Sequence, residues 1–170
     1  YEKAMPGTLS WREKLKTAKR AGFDFVEISI DESDEKLARL DMSTAERMAL
    51  VREMSEAGLP IRSMCLSGHR KYPLGSSDRA VCTRSIEIME KAVRLAADLG
   101  VRIIQLAGYD VYYEDSTPDT AARFLENLSF AAMLAAQSGV LLGFETMETP
   151  FMNTVEKAMR YVKLVDSPYL

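Results

Sequence analysis

An α/β fold is expected for this chain: a (β/α)8 TIM barrel, present as an incomplete N-terminal portion of about five βα units. Three observations point there. First, one phrase occurs four times, a helix ending on Ala-Gly, Leu-Gly or Ser-Gly with a short apolar strand directly behind it. The four are Gly22-FDFVEISI, Gly58-LPIRSMCL, Gly100-VRIIQLAG and Gly139-VLLGFETM. Second, the interval between them is about 40 residues, the length one strand and one helix consume. Third, the strands are nearly all apolar, as parallel strands buried on both faces are.

The helices follow from caps and periodicity. Ser10-Trp-Arg-Glu13 is a capping box, and Trp11, Leu15 and Ala18 form one stripe that ends at Gly22. Ser43-Thr-Ala-Glu46 repeats the box ahead of Val51 and Met54, with Gly58 as the stop. Between about Asp78 and Leu99, Ile86, Met89, Val93 and Ala96 carry a helical period closed by Gly100. Thr117-Pro118 supplies an N-cap with proline at the first helical position, and Phe124, Leu128 and Ala131 lead to Gly139. Asn153-Thr-Val-Glu156 opens the last helix. Tyr1 is read as the end of an earlier strand.

A closed barrel of this kind takes about 250 residues, whereas this sequence has 170. The start in mid-phrase and the stop at Ser167-Pro-Tyr-Leu170, where another strand is due, are therefore read as cut edges. On that reading residues 1–170 are one partial barrel domain whose C-terminal strands are missing. Five strands that cannot close would leave open edges and a tendency to aggregate. A complete small doubly wound sheet is the alternative. No GxGxxG or GxxxxGK[ST] loop follows any strand, which weakens its nucleotide-binding version.

Composition narrows the function. With 47% hydrophobic residues the chain can bury a substantial core. No run of about 18 apolar residues is present, and Tyr1-Glu-Lys-Ala-Met-Pro is not a charged-then-apolar leader, so neither a membrane span nor a signal peptide is expected. Cys65 and Cys82 have no metal-type spacing and form no disulfide framework, which fits a reducing cytoplasm. A net charge of −3, from 22 basic and 25 acidic residues, gives no general attraction to nucleic acid. Small-molecule chemistry is favoured.

In a parallel βα array that chemistry sits in loops at the carboxyl ends of the strands. Glu27, Gln105 and Glu145 occupy strand-end positions in FVEISI, IIQLAG and LLGFETM. A carboxylate in a barrel mouth is costly to bury without a metal or cation. Glu27 could equally pair with a neighbouring Arg or Lys. Glu145, flanked by Phe144 and Met147 with no base beside it, reads better as a metal or substrate residue. The loop Ser67-Gly-His69-Arg70-Lys71 through Ser76 joins the only histidine to two cations, suited to a sugar hydroxyl, a phosphate or a carboxylate, or simply to solvent. Tyr109, Tyr112 and Tyr113 could line a sugar pocket or pack the rim.

The strings GFDFVEISIDE, SMCLSGHRKYPLGS, IIQLAGYDVYYE and FETME followed by PFMN together resemble the L-ribulose/L-xylulose 5-phosphate 3-epimerases of pentose and ascorbate catabolism. These are the hexulose-6-phosphate isomerase-like members of the xylose isomerase-like TIM barrel superfamily, and the likeness runs from Tyr1 to Leu170. It implies an isomerase-class enzyme inverting C3 of a ketopentose 5-phosphate through an enediolate, with one divalent ion (Zn, Mn or Mg). That ion would be held by Glu, Asp, His and a second Glu at strand ends. Glu145 matches the first ligand and is also one of the proton-transferring pair; the other three would lie beyond Leu170. Glu27, Ser67, His69, Arg70 and Gln105 would contact substrate, and His69 is not the metal-binding histidine. Glu148 falls where relatives carry Asp. A homodimer with a small-molecule sugar phosphate as its partner is implied, and no nucleic acid or membrane. Rival readings are an aldose-ketose isomerase of the same superfamily, an abasic-site endonuclease relative disfavoured by the single histidine and acidic balance, and a non-catalytic sugar-binding module.

Overall fold

A computed structural model describes residues 1–170. Four strands, β1 (Val26–Ile30), β2 (Ile61–Leu66), β3 (Ile103–Ala107) and β4 (Leu141–Glu145), form one sheet in the order β1-β2-β3-β4. Every neighbouring pair is parallel. Six helices alternate with them: α1 (Trp11–Arg20), α2 (Asp34–Leu37), α3 (Thr44–Ala57), α4 (Arg79–Leu99), α5 (Pro118–Ser138) and α6 (Val155–Val165). Sequential strand order with a helix between each pair is the arrangement of a partial barrel of four to five βα units.

The expected caps are formed. Both capping boxes close reciprocally, Ser10 with Glu13 and Ser43 with Glu46. Thr117 pairs with Thr120 in the same way ahead of Pro118. Asp78 accepts from Ala80 N–H and Val81 N–H to start α4. The last helix starts one residue later than read, because the Thr154 hydroxyl accepts from Lys157 N–H. Gly58, Gly100 and Gly139 each terminate a helix in the left-handed region (φ 61°, 72° and 64°), a conformation glycine adopts at little cost.

Tyr1 directly precedes a 3-10 turn, Glu2–Ala4, and its hydroxyl lies 3.0 Å from Ser29 Oγ of β1. One expectation is corrected: the strands are not buried on both faces across the whole sheet. Their helix-facing side chains, Ile28, Met64, Leu66, Ile104 and Leu106, are fully or almost fully buried. They pack with Leu15, Leu50, Ile88, Leu95, Phe124 and Leu128 into one core. On the other face Ser29 of β1 is buried beside Tyr1, whereas Ile103 and Leu141 are 45% and 42% exposed. Phe124 joins α5 to β4 and α6 through its ring contacts with Phe144, Phe151 and Tyr161. Beyond α6 the chain returns to β4, where Leu142 N–H donates to Tyr169 O at 2.7 Å.

Candidate active site

The uncovered face of the sheet is polar toward its carboxyl end. Parallel register pairs Glu27 with Ser63, Ser29 with Cys65, Cys65 with Gln105, Gln105 with Gly143 and Ala107 with Glu145. Residues opposite one another in register share a face, so Glu27, Ser63, Cys65, Gln105 and Glu145 line one surface. On it the Ser63 hydroxyl donates to Glu27 Oε2 at 2.7 Å, and Gln105 Nε2 donates to Glu145 Oε2. Neither glutamate forms an ion pair with Lys or Arg; the serine takes the place of the cation weighed for Glu27. Glu145 is exposed.

Cys65 lies in the middle of this face, a neighbour that the spacing of cysteines did not reveal. Burial pushes its thiol pKa up, and the nearby Glu27 and Glu145 carboxylates push the same way. The alternation of β2 carries the signal, since Ser63 and Cys65 fall on one side of the strand and Met64 and Leu66 on the other.

The loop after β2 is not a solvated basic loop. Its first four residues, Ser67–Arg70, form a 3-10 turn, and Pro73–Ser76 are buried. Gly75 N–H donates to Asp110 O at 3.0 Å, Asn127 donates to Leu74 O at 2.6 Å and the Ser77 hydroxyl donates to Glu114 at 2.6 Å. A Cβ at Gly75 would lie 2.5 Å from Thr120 O and 2.6 Å from Asp110 O, so glycine is required by the closeness of that packing.

His69 is turned toward α4 and away from the open face. It is 6% exposed, and its Nε2 lies 3.1 Å from Ser85 O, which makes Nε2 the protonated nitrogen of a neutral ring. Burial lowers its pKa to about 4, against the smaller opposing effect of that bond. The contact with Ser85 O ties the turn after β2 to α4. Ser67 is half-buried beside Cys65. Arg70 rests over the rings of Tyr112 and Tyr109, its guanidinium carbon 4.9 and 6.0 Å from their centres.

Tyr109 is 3% exposed and its hydroxyl donates to both carboxylate oxygens of Glu148, at 3.0 and 2.9 Å. Burial and that carboxylate push the phenol pKa up to about 12. Tyr112 meets Tyr109 and Tyr113 edge-on, with centroids 4.8 Å apart in each pair. Tyr109 is thus packed into the rim, whereas Tyr113 is 67% exposed.

A second charged centre lies at β1 and has no signature in residue spacing. Glu2, 1% exposed, accepts from Lys14 at 2.9 Å and from Ser29 N–H at 2.8 Å, and it pairs with Arg39 as well. Burial alone would raise its pKa; the bonds from Arg39, Lys14 and Ser29 outweigh this and hold it at about 2.

The residues present were compared with the divalent ion implied above. No group of three His, Cys, Asp or Glu side chains converges within the chain. Glu145 can offer one ligand, and the 170 residues do not make a metal site by themselves.

Comparison with known proteins agrees with this architecture. The family model described as xylose isomerase-like TIM barrel matches residues 15–170. SgbU of Escherichia coli K12, whose name carries L-ribulose-5-phosphate 3-epimerase as a provisional assignment, is 55% identical over 169 residues, 99% of this chain and 59% of that protein. The L-ribulose-5-phosphate 3-epimerase UlaE of Salmonella heidelberg SL476 is 48% identical over 169 residues, 99% of this chain and 60% of that protein. The chain thus spans about three fifths of the length of these curated relatives. Among solved structures, a D-psicose 3-epimerase determined in the presence of D-fructose superposes with a TM-score of 0.77 at 19% identity, covering 95% of this chain and 56% of its own. That likeness is one of fold.

Proposed function

The chain belongs to the xylose isomerase-like TIM barrel family, and we propose that the protein is an epimerase that inverts C3 of a ketopentose 5-phosphate, interconverting L-ribulose and L-xylulose 5-phosphates. The observation that carries this reading is Glu145: an exposed carboxylate at the end of β4, free of any ion pair and bonded to Gln105.

Epimerisation at C3 needs a base for a weakly acidic proton beside the C2 carbonyl and an acid on the opposite face of the sugar to return one. Glu145 takes one of these roles. Removing the C3 proton leaves an enediolate, whose charge must be met by electrophilic groups aimed at the C2 and C3 oxygens. A bound divalent ion supplies Lewis acidity of that kind; Glu145 would be one of its ligands, and the others do not come from these residues. Gln105 holds the carboxylate toward the open face, and Glu27, with its Ser63 bond, offers an acceptor for a substrate hydroxyl. The same reading makes the 170 residues part of one barrel domain of a cytoplasmic homodimer.

The test is turnover of L-ribulose 5-phosphate by the intact protein in deuterium oxide. Formation of L-xylulose 5-phosphate with deuterium at C3 is the expected result. Deuterium at C1 would mean an aldose-ketose isomerase, and no exchange would remove the reading. Glu145→Gln should lower turnover about 100-fold or more; near-normal activity in that variant would withdraw the residue from the mechanism.

A further inference from the structure

We propose that Glu148 accepts a hydrogen bond from the C4 hydroxyl of the sugar and thereby selects its configuration; this rests on the epimerase reading above. The substrate itself sets the need. A ketopentose has two stereocentres, C3 and C4, and a protein that inverts C3 must accept both configurations there. L-ribulose and L-xylulose share one configuration at C4, whereas the two D-pentuloses share the opposite one. Selectivity for the L pair therefore requires a group that reads C4.

Glu148 has the properties of such a group. It is an exposed carboxylate in the segment behind β4, and it forms no ion pair with Lys or Arg. A buried donor fixes it. The Tyr109 hydroxyl gives to both of its oxygens, and Tyr109 is held in turn at 3% exposure with the Tyr112 ring edge-on against it. Bonds from its own backbone N–H and from Tyr109, with the field of Arg70 beyond them, keep its carboxyl below the usual range. At neutral pH it is an anion that can only accept, and a carboxylate with about four acceptor sites retains capacity for a ligand. An anchored acceptor of this kind differs from a freely moving surface glutamate, because its orientation is set before the ligand arrives.

Position narrows the choice of hydroxyl. Glu148 follows Glu145 by three residues, at most about 11 Å along the chain. Tyr109, which holds it, lies just beyond Ala107, the register partner of Glu145. With C3 of the sugar at Glu145, the adjoining carbons are C2 and C4. C2 carries a carbonyl oxygen with no proton to give, and C4 carries a hydroxyl. An acceptor beside the reacting centre is thus matched by C4.

The test measures kcat/KM for L-ribulose 5-phosphate and the inhibition constant of its C4 epimer, D-xylulose 5-phosphate, in the intact protein and in its Glu148→Ala, Glu148→Gln and Tyr109→Phe variants. E148A should lower kcat/KM about 10- to 100-fold, the worth of a hydrogen bond to a charged group, and leave the inhibition constant within about two-fold. E148Q keeps an acceptor oxygen and a partner for Tyr109, and Y109F frees the carboxylate without removing it, so both should lose less than E148A. Equal changes in the two quantities, or none, would overturn the proposal. If the unaltered protein does not turn over L-ribulose 5-phosphate, the epimerase reading fails, and calorimetric titration with the two sugar phosphates decides the C4 contact separately. Tighter binding of the L-ribulose ester that E148A abolishes would uphold it, and a preference that is absent or unchanged in the variant would refute it.

Discussion

Gln105 and Glu145 are joined side chain to side chain across the β3–β4 pair, the amide nitrogen donating to the carboxylate. The bond aims a carboxylate that has no cation to orient it. Removing it in Gln105→Leu should leave the fold intact and lower kcat about 10-fold, the worth of one hydrogen bond to a charged group. Gln105→Glu would instead place two carboxylates together and raise the pKa of the pair, moving the acidic limb of the pH-rate profile upward. A profile unchanged in both variants would show that Glu145 needs no such support.

Gly108 separates β3 from the aromatic rim and donates its N–H to Glu145 O at 3.0 Å. A Cβ there would lie 2.8 Å from that same oxygen and 2.8 Å from Met152 Sδ. The sulfur can move aside, but the oxygen belongs to the strand that carries Glu145. Gly108→Ala should therefore cost about 1–3 kcal/mol in denaturant unfolding and should lower turnover more than an equally destabilising core substitution such as Leu128→Ala.

The neutral, buried His69 gives stability an acidic dependence. Its pKa falls from 6.5 to about 4 on folding, so between those values the unfolded chain binds the extra proton. The contribution is complete above pH 6.5 and is lost as pH falls toward 4. Its size is about 3 kcal/mol. His69→Gln can still donate to Ser85 O and should flatten the unfolding free energy over that interval.

Glu2 acts in a lower window. Its pKa drops from 4.5 to about 2, so its stabilisation is present above 4.5 and disappears as pH falls toward 2. Glu2→Gln should remove this limb, and at neutral pH it should cost about 3–5 kcal/mol by leaving Lys14 and Arg39 without their anion. Chemical denaturation at pH 7 and pH 3 measures both effects.

Much of this architecture was legible in the chain. The capping boxes at Ser10 and Ser43, the Thr117-Pro118 start and the glycine stops are local chemistry, so they predicted helix ends almost to the residue. The strands were marked by their apolar residues, but those residues could not show whether both faces are covered; that depends on what lies opposite. The short α2 escaped because four residues carry no period. The direction of the His69 ring was illegible for a related reason, since it is the 3-10 turn of the backbone that sends it toward α4. The Glu2 centre gathers residues 2, 14, 29 and 39 from separate elements, and no spacing rule joins such positions. The meeting of Gln105 with Glu145 follows from register, which becomes readable once the strand order is known.

The bonds at Ser29 have one more effect. Its amide hydrogen is taken by the Glu2 carboxylate and its carbonyl by the Arg39 guanidinium at 3.1 Å. The Glu2–Arg39 cluster thereby clamps the turn at residues 2–4 and the turn at residues 38–41 onto a single residue of β1. E2Q should release that clamp as faster amide hydrogen exchange at Ser29.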